Sequence, residues 1–200
     1  MQFEKLGDIH LRRGGGGGDP TRGMCVMELV SLLDGYEVLT DHPKSVCQAL
    51  TTYAITLNDS ASTQPMRDTL APLALSLSGS RDPDRIGRRA AHLAHETATR
   101  LLAKVDPDLS QRVLRGLWAV SADLRDPQRS ETAATTLLFQ VVEALNTGLR
   151  SRKARKAGLT RADHWREARA ILVEAIAVGA PSLKQRAAKK SAKIATKLVA

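Results

Sequence analysis

The chain reads as an all-α protein, a bundle of about seven or eight helices carrying a basic helical extension. Three observations predict this. Hydrophobic residues reach 42% while aromatics stand at 3%, so the core must be built mostly from Leu, Ala, Val and Ile. Alanine and leucine are strong helix formers. Apolar residues recur at helical spacing, as in Leu137, Leu138, Val141, Val142 and Leu145. No alternating pattern of useful strand length appears, and Gly or Asp-Pro breaks divide the periodic stretches.

Residues 1–22 read as a flexible lead-in around the run Gly14 to Gly18, with Phe3, Leu6, Ile9 and Leu11 available for a short extended piece against the body. Met24 to Leu33 predicts a first helix, stopped by Gly35. Tyr36 to Leu39 reads as a connector. Asp41-His42-Pro43 predicts the next start, with Asp41 as cap and Pro43 in the first turn, and a helix running to about Leu57. Thr63 to Leu77 reads as helical with Pro72 kinking or dividing it. After the break at Gly79 to Pro83, helices are expected over Arg85 to Val105, Leu109 to Leu124 and Ser130 to Leu149. Thr160 and Asp163 have the spacing of a capping box, which predicts a helix over Leu159 to Val178. Ser182 to Val199 reads as a last, basic helix. The expected organisation is a lead-in at 1–22, a bundle at 23–149 and a basic extension at 150–200, with Arg150 to Gly158 as linker. Trp118 and Trp165 are expected to anchor the core.

The net charge of +9 is unevenly placed. Residues 1–80 carry six basic and nine acidic side chains, whereas residues 150–200 carry fourteen basic and three acidic ones. The basic character therefore belongs to the C-terminal quarter. No stretch approaches the length of a membrane span, and the N-terminus lacks the apolar region of a secretory signal. Two cysteines do not make a disulfide framework, so a reducing cytoplasm is the expected compartment.

Both cysteines fall in one stretch, GMCVMELVSLLDGYEVLTDHPKSVCQAL, Gly23 to Leu50. Three chemistries fit it. Two thiolates, an imidazole and a carboxylate from Cys25, Glu28, His42 and Cys47 would suit zinc, the one cofactor the sequence suggests. Cys25 at a helix start, with His42 as base, would suit a thiol nucleophile. Buried cysteine also behaves as a small apolar residue, and His42 and Pro43 then serve a helix start. The order Gly23-x-Cys25-x-Met27-Glu28, Asp41-His42-Pro43, Cys47, Leu57-Asn58-Asp59 and Leu70-Ala71-Pro72-Leu73 resembles a family of uncharacterised bacterial and phage proteins frequent in actinobacteria. The resemblance covers about residues 1–105. It implies that the stretch defines the family, and it brings no activity with it. Leu29 stands where that family usually has alanine, and no proline follows Val46-Cys47-Gln48.

The second candidate is the basic segment. Arg150, Arg152, Lys153, Arg155, Lys156, Lys184, Arg186, Lys189, Lys190, Lys193 and Lys197 form an electrostatic footprint suited to the phosphates of DNA or RNA. An acidic protein or membrane surface, or plain solvation, would use the same charges. No aromatic residue follows Trp165, so base stacking is not indicated. His92-x-x-His95-Glu96 has the wrong order for a metalloprotease helix and reads as a surface pair. No phosphate-binding glycine loop and no serine nucleophile motif is present. The function expected is that of a non-catalytic helical binding protein whose tail meets nucleic-acid phosphates. A thiol or zinc site and a protein-interaction adaptor are the alternatives.

Overall fold

The computed structural model describes residues 9–14, 23–126, 128–150, 158 and 160–178. It is all-α. The helices are α1 (Val26–Leu33), α2 (Gln48–Ser60), α3 (Gln64–Asp68), α4 (Ala74–Leu77), α5 (Pro83–Glu96), α6 (Pro107–Val120), α7 (Ser130–Arg150) and α8 (Arg161–Ala177). A 3₁₀ turn at Ala71–Leu73 precedes α4, a π-helical turn at Thr97–Leu102 continues α5, and a second 3₁₀ turn at Asp123–Arg125 follows α6. Among the described residues, no helix is long and apolar enough to cross a membrane.

Local signals set most helix starts. Asp82 accepts from Asp84 N–H at 3.2 Å ahead of Pro83, and Asp106 accepts from Leu109 N–H at 3.2 Å ahead of Pro107. Each proline sits in a first turn, where its missing N–H costs no helical bond. Thr160 and Asp163 form the capping box of α8. Pro65 opens α3, and Pro72 separates it from α4.

One start is displaced. The segment Asp41–Val46 is a turn, and α2 begins at Gln48 with Cys47 as its N-cap. The helix expected from Asp41 does not form there: Val46 N–H closes a single turn on Pro43 O at 3.1 Å, and the α-helical ladder begins with Thr51 N–H to Cys47 O at 3.0 Å. His42 N–H donates to Thr40 Oγ1 at 3.1 Å, and Lys44 N–H donates to Tyr36 Oη at 3.1 Å.

Trp165, Ala168, Ile171, Leu172 and Ala175 of α8 join the same core as the earlier helices. Trp165 is fully buried and donates its indole N–H to Leu57 O at 3.2 Å. The helix assigned from sequence to a basic extension is thus a core element. Trp118 is the reverse case: it is 83% exposed on α6 rather than an anchor. The face of α6 that enters the core carries Leu109 and Val113, and Trp118 falls outside it. Residues 151–157 of the linker expected over Arg150 to Gly158, and the last helix expected over Ser182 to Val199, lie outside the described residues.

Candidate functional site

The Gly23 to Leu50 stretch is a packing hub. Cys25 is the N-cap of α1, and with Glu28 it forms a reciprocal capping box. Glu28 N–H donates to Cys25 Sγ at 3.4 Å, and Cys25 N–H donates to Glu28 Oε2 at 2.9 Å. Two amides at the start of α1 are satisfied without water. The Val26 amide donates to Asn58 Oδ1 at 3.3 Å, and Asn58 Nδ2 donates to Arg12 O at 2.8 Å. Asp59 and Asp68 take the Gly14 and Leu11 amides at 2.9 and 2.8 Å, and His10 Nδ1 lies 2.8 Å from Asp68 Oδ2. Leu11 pairs with Met24 in an isolated bridge. Gly23 has φ +80°, and a Cβ there would meet Arg12 Cδ at 3.2 Å. The motif residues therefore clasp the segment 9–14 to the start of α1.

Burial pushes the Cys25 thiol up to about 12. At neutral pH it is a thiol that accepts a hydrogen bond, not a thiolate. Both cysteines are free and buried. Cys47 N–H donates to Ser80 Oγ at 3.2 Å. His42 is exposed, 3.9 Å from Asp41 Oδ1. Cys47 and His42 both line a cleft of about 320 Å³ together with Lys44, Arg81 and Glu131. Cys25 and Glu28 meet each other and do not line it. Among the described residues, no group of three or more His, Cys, Asp or Glu side chains is placed to hold a metal ion. The zinc set Cys25, Glu28, His42 and Cys47 is thus divided between a helix cap and a cleft wall.

Of the eleven basic residues expected to meet phosphates, only Arg150 is described, as the last residue of α7. The arginines of α8 itself are engaged. Arg161 donates to Ser60 O at 3.0 Å, Arg169 to Thr69 O at 3.1 and 3.2 Å, and Arg166 to Asp163. Two acids of α8, Glu167 and Glu174, are held by Arg100 from the π-helical turn, the latter at 2.7 Å. Glu96 also meets Arg100 at 3.3 Å and His95 Nδ1 at 2.9 Å; the His95 contact is the main cause holding its carboxyl below the usual range. His92 Nε2 lies 3.6 Å from Glu174, so the His92/His95 pair belongs to an ionic network around Arg100.

Two features were missed from sequence. The aromatic rings of Trp118 and Phe139 stand exposed, Phe139 at 75%. A second cleft, of about 690 Å³, opens between the α4 region and the end of α8. Arg81, Arg85 and Arg89, spaced by four, are its only visible trace in the sequence. No family model, curated protein or solved structure matches the chain.

Proposed function

We propose that the protein is a non-catalytic helical binding protein of the cytoplasm that contacts DNA or RNA phosphates through Arg150, Arg152, Lys153, Arg155, Lys156, Lys184, Arg186, Lys189, Lys190, Lys193 and Lys197. The single observation that supports this is the partition of charge along residues 150–200. Arg161, Arg169 and the glutamates of α8 are committed to contacts on the body, and Arg166 to Asp163 of the same helix. The remaining basic residues of this stretch of the sequence lie in two segments flanking that helix, and the segment from Lys184 to Lys197 contains no acid. Such segments release counterions when they meet phosphates. Free, buried thiols suit a reducing compartment. Membership in the uncharacterised bacterial and phage family is part of this reading, supported by the motif residues that clasp α1.

The test is retention of a 30-base-pair duplex across a salt series by the whole chain and by a chain lacking residues 182–200. Binding is expected to weaken steeply with salt, and the shortened chain to lose affinity and slope, by about 0.9 in log–log slope per phosphate contact removed. Unchanged retention at low salt sinks the proposal. An adaptor role is the second reading, favoured by the exposed rings of Trp118 and Phe139.

A further inference from the structure

Arg89 of α5 is only 3% exposed, yet no carboxylate among the described residues pairs with it. Its outer nitrogens donate to two backbone carbonyls, Ser80 O and, at 3.4 Å, Ile176 O in the last turn of α8. Its Nε–H has no acceptor among the described residues. A buried guanidinium normally has its charge compensated and its donors satisfied. The two carbonyls offset part of that need, the second reinforced by the negative end of the α8 dipole. They carry no formal charge.

Arg89 lines the 690 Å³ cleft, and so do Arg81 and Arg85. Asp82 holds Arg85 Nε at 2.7 Å. Among the described residues lining the cleft, three arginines stand against this one aspartate, a net charge of two positives. The opposite character is also present. Leu75 and Val173, 45% and 41% exposed, are two of the few large apolar side chains left open to solvent on the described surface, and both line this cleft beside Ile176. Cationic donors and open apolar surface thus share one concavity of the size that small-molecule sites occupy.

We propose that this cleft binds a small amphipathic anion, with a carboxylate or phosphate head against Arg89 and Arg85 and an apolar body against Leu75, Val173 and Ile176. The head supplies the charge and the acceptor that Arg89 lacks, and Arg offers the planar fork that suits either group. The body covers the exposed leucine and valine. None of the residues invoked here is one of the basic residues invoked for nucleic acid, so either proposal stands or falls alone.

The experiment is titration of the whole chain, by calorimetry and amide chemical shifts, with octanoate, octyl phosphate, octanol and acetate below their micellar concentrations. One of the two amphipathic anions is expected to saturate one site per chain. Octanol, lacking charge, and acetate, lacking the tail, should bind at least about tenfold more weakly. The stronger of octanoate and octyl phosphate identifies the head group. Arg85→Gln should weaken anion binding about tenfold while leaving octanol unchanged, and Leu75→Asp should abolish it. Leu75 is exposed and Arg85 is a half-buried side chain in the first turn of α5, and circular dichroism of both variants checks that helicity persists, so the result does not depend on Arg89→Lys, which would also disturb the end of α8. Absence of saturable binding by both anions overturns the proposal. So does equal binding of octanol, or binding that survives both Arg85→Gln and Leu75→Asp.

Discussion

A thiol at a helix N-terminus is ordinarily activated by the dipole, but Cys25 is placed so that burial outweighs that effect. Desolvation raises its pKa to about 12 from an ordinary 9.0, with the Glu28 carboxylate adding in the same direction. The folded pKa lies above the unfolded one. Stability from this group is therefore complete below pH 9 and declines as pH rises towards 12. Burial raises the Tyr53 phenol too and acts in the same sense. Denaturant melts between pH 8 and 11 should thus lose stability less steeply in Cys25→Ser than in the unsubstituted chain. Serine keeps an acceptor for the Glu28 amide, so Cys25→Ser should retain the cap. Cys25→Ala, lacking it, should cost about 1 kcal/mol in urea unfolding at pH 7. Alkylation of Cys25 and Cys47 should be slow until the chain is denatured. At this scale the sequence singled out Cys25 and Glu28 as zinc ligands or as part of a thiol site, whereas the structure joins them as the cap of α1. Their three-residue spacing is the local signal a cap reading would have used. The partnership of Asn58 with Arg12 and Val26 is not readable, because it joins positions 46 and 32 residues apart.

Elements meet through close approaches that single residues permit. Gly87 of α5 faces the 3₁₀ turn after α6, and a Cβ there would sit 2.0 Å from Leu124 O. Backbone cannot yield as a flexible side chain can. Gly87→Ala is expected to push the Asp123–Arg125 turn away and cost about 1–3 kcal/mol, read from thermal unfolding. Gly116 makes a similar approach to the Gln140 side chain, which can swing aside, so Gly116→Ala should cost less. Helix existence was legible because Asp82-Pro83, Asp106-Pro107 and Thr160 with Asp163 are local signals. The displaced start of α2 was not legible. Asp41-His42-Pro43 has the letters of a helix start, but the chain makes one turn there, closed from Val46 to Pro43, before the helical ladder opens at Cys47. The π-helical turn at Thr97–Leu102 likewise leaves no sequence trace, although it carries the Arg100 that reaches Glu167 and Glu174 on α8.

For the molecule as a whole, the two tryptophans divide the labour of core and surface. Trp165→Ala should cost about 3–5 kcal/mol and release α8, seen as loss of helicity and a lowered urea midpoint. Trp118→Ser should change stability by no more than about 0.5 kcal/mol while removing the fluorescence that acrylamide quenches in the native chain. Helical periodicity marks both residues as apolar positions, and only the assembled neighbours decide which one is covered. The clefts are whole-molecule features in the same sense, since the second joins residues 73–89 to residues 173–177. The attachment of α8 also bears on how the chain folds. Trp165 bonds to Leu57 across 108 residues, Arg161 to Ser60 across 101 and Arg169 to Thr69 across 100. Loops of this length are entropically costly to close, and non-local closures of this kind slow folding. The earlier helices can form and associate while the place of α8 is still open, leaving apolar surface around Leu57 uncovered. Rapid-mixing refolding followed through Trp165 should therefore show its burial lagging the helical signal, and that interval is when the chain is most prone to aggregate.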